Sequence, residues 1–95
     1  MKKGYWVVRA NISDIDEYSK YIELASKVIQ QYNGKFLVRG GFQIEFEKNG
    51  FERTVVVEFE SHQQAIKCYE SNGYQSALDY VKDSAVRYVS VVEGY

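Results

Sequence analysis

The stretch from Asp14 to Gly34 constrains this chain most. Ile15, Tyr18, Ile22, Ala25, Ile29 and Tyr32 recur at steps of three and four, which puts them on one face of a helix. Tyr21, Leu24 and Val28 widen that apolar stripe. Ser13 or Asp14 begins the helix. Asp14 with Glu17 three positions on, and Asp16 between them, sets acidic groups at the positive end of the helix dipole. Asn33-Gly34 stops it, glycine being the residue expected to take the left-handed conformation there. The wide apolar face must be buried, and the segments around it read as strands.

Gly4 to Ile12 alternates, with Trp6, Val8, Ala10 and Ile12 on the better core face and Tyr5, Val7, Arg9 and Asn11 on a mixed one. Lys35 to Glu47 reads as a long strand interrupted by Gly40-Gly41, which suggests a bulge or a close approach. Within it Phe42, Ile44 and Phe46 alternate with Gln43, Glu45 and Glu47, a half-buried pattern. Lys48-Asn49-Gly50 predicts a hairpin with a type I′ turn. Phe51 to Glu60 returns as a strand, with Val55, Val57 and Phe59 on one face and Thr54, Val56, Glu58 and Glu60 on the other.

Ser61 caps a second helix, with Gln64 completing a capping box and Ala65, Ile66, Cys68 and Tyr69 facing inward. Ser71-Asn72-Gly73 interrupts it. A helical segment follows from Tyr74 to Lys82, with Ala77, Leu78 and Val81 inward. Val86 to Glu93 is the last strand.

The order is βαββαβ, with a hairpin in the middle. It predicts one ferredoxin-like domain over residues 1–95, an α+β fold with a four-stranded antiparallel sheet and helices on one face. The other face is expected to carry Tyr5, Val7, Val56, Val89 and Val91, too apolar for plain solvated surface. Two such sheets packed face to face would make a homodimer enclosing a cavity.

Composition narrows the function. The 95 residues have a formal net charge of −1, so no global attraction to nucleic acid or an anionic membrane is expected. No apolar run approaches a membrane span, and the N-terminus enters a strand without a signal-peptide core. The one cysteine, Cys68, excludes an internal disulfide, and a cytoplasmic protein is the simplest reading. No cluster has metal-ligand spacing and no cofactor is expected. Trp6 to Ile12 loosely resembles the first strand of an RNA-recognition motif. The strand Arg53 to Phe59 lacks the stacking aromatics such a module needs, so RNA binding is not expected.

Arg39, Glu58 and Glu93 are the charges most awkwardly placed in strands. If they converge, they form a partly buried charged cluster able to bind a small polar ligand or hold a proton; an intrasheet or intersubunit salt bridge is the plainer account. Tyr18 and Tyr21, a turn apart, and Tyr74 supply hydroxyls that can donate to a ligand carbonyl, although core packing accounts for most of the nine tyrosines. His62 has no catalytic partner, and Cys68 reads as a small buried hydrophobe.

Four segments, Tyr32-Asn33-Gly34-Lys35-Phe36-Leu37-Val38-Arg39-Gly40-Gly41, Val57-Glu58-Phe59-Glu60-Ser61, Tyr69-Glu70-Ser71-Asn72-Gly73-Tyr74-Gln75 and Val92-Glu93-Gly94, together resemble the bacterial family called domain of unknown function 1330. The resemblance spans nearly the whole chain in order. It implies a ferredoxin-like fold and a dimeric α+β barrel, in a superfamily that also holds cofactor-independent monooxygenases. It implies no settled activity. The reading is therefore a homodimer that binds a small organic ligand in its sheet cavity. Arg39 would orient the ligand, Glu58 and Glu93 would position it, and Tyr18, Tyr21, Ser71 and Tyr74 would stand around it. A cofactor-independent monooxygenase or isomerase is the enzyme alternative, and a structural or regulatory dimer without ligand is the third.

Overall fold

The computed structural model describes residues 1–48 and 50–95. Its strands are β1 (Gly4–Ile12), β2 (Lys35–Arg39), β3 (Arg53–Phe59) and β4 (Ala85–Glu93). Its helices are α1 (Ile15–Gln31), α2 (His62–Glu70) and α3 (Asn72–Ala77), the last running into a 3-10 turn at Leu78–Tyr80. The strands form one antiparallel sheet in the order β2-β3-β1-β4. This is the ferredoxin-like arrangement expected from the sequence, with the helices against one face and the sheet left open rather than closed into a barrel.

The core lies between that face and the helices. Trp6, Val8 and Ala10 from β1 and Val57 and Phe59 from β3 meet Tyr18, Tyr21, Ala25 and Ile29 of α1. The Trp6 indole donates to the Ala65 carbonyl at 2.9 Å, which satisfies its one polar atom in the interior. Asp14 caps α1 by accepting from the Glu17 amide at 3.1 Å, and Ser61 caps α2 by accepting from Gln64 at the same distance. The Gln64 side chain does not return to Ser61 to close a capping box. It reaches the Tyr32 carbonyl instead.

At the end of α1 the left-handed residue is Asn33, at φ +59°, not Gly34. Asparagine is among the few residues that tolerate that conformation. Gly34 is needed for room, since a β-carbon there would overlap the Ile29 side chain and the Phe59 ring.

Two strand assignments need correction. Val89 and Val91 pair across the sheet with Val8 and Trp6, so they face the helices together with Ala85, Arg87 and Glu93. The open face of β4 is Val86, Tyr88, Ser90 and Val92, with Val86 and Tyr88 both 68% exposed. β4 has valines on both faces, so apolar parity alone could not choose between them.

The second correction concerns residues 41–47, which form no strand. They make an arm whose Gln43 and Glu45 side chains face the protein. Gln43 donates to the Phe51 carbonyl and accepts from Thr54; Glu45 pairs with Arg9 and accepts from the Gly50 and Phe51 amides. Phe42, Ile44 and Phe46, read as half-buried, point outward, Phe42 being 95% and Phe46 90% exposed. The expected type I′ turn at Lys48-Asn49-Gly50 includes Asn49, outside the described residues.

Candidate functional site

The bulge expected at Gly40-Gly41 falls three residues earlier. Phe36 faces Val57, but Val38 faces Val56 and Arg39 faces Val55, so Leu37 is the extra residue. In a regular ladder Arg39 would oppose Thr54, on the open face. The bulge turns it over to the helix side, an example of a bulge re-aiming a side chain. There its guanidinium lies 4.1 Å from the Phe36 ring centroid and donates to the Ser26 hydroxyl of α1 at 2.7 Å.

Two further arginines share that side of the sheet. Arg53 on β3 and Arg87 on β4 both pair with Ala10 of β1, so they flank one small residue in a single cross-sheet row. Arg39, Arg53 and Arg87 together with Tyr18, Tyr21 and Ser26 line a cleft between α1 and the sheet, floored by apolar residues such as Val8 and Val55. The cleft is small, about 30 Å³, room for roughly one water molecule. Other depressions are larger and more open, such as the groove of about 450 Å³ between the arm and the open face and one of about 550 Å³ that Arg87 lines together with Asp79 and Lys82.

None of the three arginines has a carboxylate within salt-bridge distance among the described residues. The Nε of Arg53 is buried without a hydrogen-bond partner there. Gly40 makes this position possible: it has φ +68°, and a β-carbon on it would overlap the Arg53 guanidinium. Gly41 has open space around it and needs no such account.

Arg87 is held by two hydroxyls. Its Nη1 donates to Tyr21 at 2.9 Å and its Nη2 to Tyr74 at 3.1 Å, while the two tyrosine oxygens lie 2.7 Å apart. The guanidinium also sits 4.8 Å from the Tyr21 ring centroid, a cation–π distance. Burial pushes both phenols above their ordinary range, opposed by the Arg87 charge. Both tyrosines are therefore neutral donors at physiological pH, not bases. The cleft offers positive charge and hydroxyl donors; among its lining residues there is no carboxylate, imidazole or thiol.

The charges picked out from the sequence do not converge. Arg39, Tyr18 and Tyr21 line the cleft, and Tyr74 stands behind Tyr21. Glu58 lies on the opposite face of the sheet, where it accepts from the Tyr5 hydroxyl at 2.9 Å. Glu93 faces the helix side but at the far end of β4, opposite Gly4, and is exposed. Ser71 caps α3, accepting from the Tyr74 amide and donating to the Cys68 carbonyl. Arg53 and Arg87 were missed. Their signal was an arginine on the apolar face of a strand, legible only once the register around Ala10 is known. No group of residues suited to hold a metal ion occurs among the described residues, and none of their helices is long and apolar enough to cross a membrane.

The sheet order and one-sided helices define an α+β protein of ferredoxin-like fold. Residues 3–95 match the model of the family described as Domain of unknown function (DUF1330), and the chain belongs to that family. No curated protein sequence matches it. Among similar solved structures is the RPA0582 protein of unknown function from Rhodopseudomonas palustris, at TM-score 0.77 and 13% identity, covering 99% of this chain and 83% of that one. Another is SnoaB, a cofactor-independent oxygenase from Streptomyces nogalater, at TM-score 0.65 and 8% identity, covering 100% and 95%. A third is a dimeric ferredoxin-like protein of unknown function from Thermobifida fusca, at TM-score 0.57 and 13% identity, covering 96% and 92%. At such identities the likeness is one of fold.

Proposed function

We propose that this protein binds a small organic anion, taking its carboxylate or other oxyanion into the cleft between α1 and the sheet. The observation that carries the reading is the gathering of Arg39, Arg53 and Arg87 around one small cleft with no carboxylate partner among the described residues. Like charges on the walls of one small cleft repel, and a buried guanidinium N–H without an acceptor, such as that of Arg53 Nε, is costly. An anion would offset both. Arg39, the exposed member, would close over the ligand from the mouth, and Arg53 and Arg87 would hold its head group. The lining contains no base to take a proton from a ligand, so binding is better supported than oxygenase or isomerase turnover.

Titration with acetate, benzoate and inorganic phosphate tests this, read by thermal shift and by the Arg53 Nε–H resonance. At least one anion is expected to raise the melting temperature and move that resonance, and Arg53→Gln to weaken binding by roughly tenfold or more. Indifference of the resonance to every anion, or equal binding by the variant, would refute the reading.

The protein also acts, in this proposal, as a homodimer joined through the open sheet face. Exposed Val86, Tyr88 and Val92, with Phe42 and Phe46 on the arm, support it, because such apolar groups seldom stay in water together. Tyr88→Glu should shift a sedimenting dimer to monomer. A wild-type protein that sediments as a monomer across the micromolar range would rule the dimer out.

A further inference from the structure

We propose that the cleft is a chloride site: one chloride ion occupies it in the free protein, and an organic anion binds only by displacing that ion. This rests on the anion-binding reading above and adds to it a second ligand, its chemical class and the competition between the two.

Three observations select a monatomic anion. The first is size. The cleft is about 30 Å³, room for roughly one water molecule. Chloride is only a little larger than water, whereas a carboxylate brings three heavy atoms. The second is charge. Arg53 and Arg87 stand in one row of the sheet on either side of Ala10, and Arg39 stands in the next row, paired with Val55 on the same side. All three line the cleft, and no carboxylate is among its lining residues. A water molecule fits the space but leaves that charge uncompensated; an anion of nearly the same size balances part of it.

The third observation is an unmet donor. The Arg53 Nε–H is buried and has no acceptor among the described residues. Its guanidinium packs against Gly40 so closely that a methyl group there would overlap it, so it cannot easily turn to find one. A buried donor left unmet is among the costlier defects in a protein. Chloride accepts hydrogen bonds from any direction, so it asks for no particular arrangement of the donors around it.

An organic anion and the ion then compete for one place. Arg87 is held by two tyrosine hydroxyls and Arg53 by its packing, but Arg39 is exposed and tethered to the Ser26 hydroxyl. Arg39 is the member that moves to widen the cleft for a carboxylate, and the ion leaves as the carboxylate takes over its guanidinium partners.

The test titrates sodium chloride into protein dialysed into sodium fluoride at constant ionic strength, read by the Arg53 Nε–H resonance and the chlorine NMR linewidth. Screening is the same in both salts, and fluoride sheds its water too reluctantly to enter the cleft. Chloride is expected to move the resonance along a saturating curve and to broaden its own line. Arg53→Gln should abolish the saturable broadening, while Lys27→Gln, which removes the same charge from an exposed position on α1, should keep it. At a chloride concentration about three times its dissociation constant, acetate should bind about fourfold more weakly than in fluoride. A resonance indifferent to chloride, saturable broadening that survives Arg53→Gln, or equal acetate affinity in the two salts would overturn this inference and leave the organic-anion reading standing. No response to chloride together with no binding of acetate, benzoate or phosphate in fluoride would overturn both. Should Arg53→Gln fail to fold by circular dichroism, the competition between chloride and acetate on wild type decides alone.

Discussion

Gly40 and Gly41 are adjacent, yet the fold asks different things of them, and a pair of alanine substitutions separates the two demands. Gly40 sits at φ +68°, and its Cα faces the Arg53 guanidinium so closely that a methyl group would overlap it. Alanine at a left-handed position costs about 1–2 kcal/mol in backbone strain. The overlap itself adds little to that cost, because the displaced atoms are the free end of a flexible side chain. Its consequence is functional: Arg53 must swing out of the cleft. For a chain of this size, 1 kcal/mol corresponds to roughly 4–8 °C, so Gly40→Ala should lower the melting temperature by about 4–16 °C. It should also weaken anion binding about as much as Arg53→Gln does. Gly41 has nothing within 4 Å of the place an added methyl group would take, and no left-handed φ. Gly41→Ala should therefore leave stability unchanged or raise it by up to about 1 kcal/mol, through the reduced freedom of the unfolded chain. Thermal melts followed by circular dichroism, with anion titration of the same samples, read both effects. Equal melting temperatures for the two variants, or undiminished anion binding by Gly40→Ala, would refute the account of how Gly40 and Arg53 fit together.

Two further outcomes are expected. Glu45 ties the arm to the sheet through Arg9 and two backbone amides, so Glu45→Ala should cost about 1–2 kcal/mol and speed hydrogen exchange at Gly50 and Phe51; unchanged protection there would show that the arm is held by something else. Burial raises the Cys68 thiol from the ordinary 9.0 to about 12, so the folded protein keeps this proton to higher pH than the unfolded chain does. Its contribution is whole below pH 9 and is lost as pH rises towards 12, with a slope of up to about 1.4 kcal/mol per pH unit. Urea melts at increasing alkaline pH should show a shallower decline for Cys68→Ala than for wild type, and identical slopes would contradict the burial argument.

The elements of this fold were legible because each announces itself over several residues. The caps at Asp14 and Ser61 and the alternation in β1 and β3 are local signals that the structure keeps, and the helix stripe holds at Tyr18, Tyr21, Ala25 and Ile29, while Ile15 and Leu24 are exposed. What failed depended on pairing. The arm alternates Phe42, Ile44 and Phe46 with polar residues as a strand would, but alternation reports only that two sides differ, not which side meets the protein. The ion pair of Glu45 with Arg9 decides that, and it spans 36 positions of sequence.

The cleft was half visible for the same reason. Arg39-Gly40-Gly41 stood out because an arginine before two glycines fits no ordinary strand, and the first two of those residues do shape the cleft. Arg53 and Arg87 did not stand out, since an arginine near a strand end usually reaches water. Their shared partner is Ala10, which reads in sequence only as a modest core residue. Its small side chain leaves space between two long ones, and the single-residue bulge at Leu37 brings the third arginine to the same side. Neither effect is a property of any one segment. A cleft assembled this way makes the cross-strand register itself the carrier of function. Shifting β2 by one residue against β3 would turn Phe36 away from the core and return Arg39 to the other face, dismantling in one step both the packing of the strand and the charge that the ligand requires.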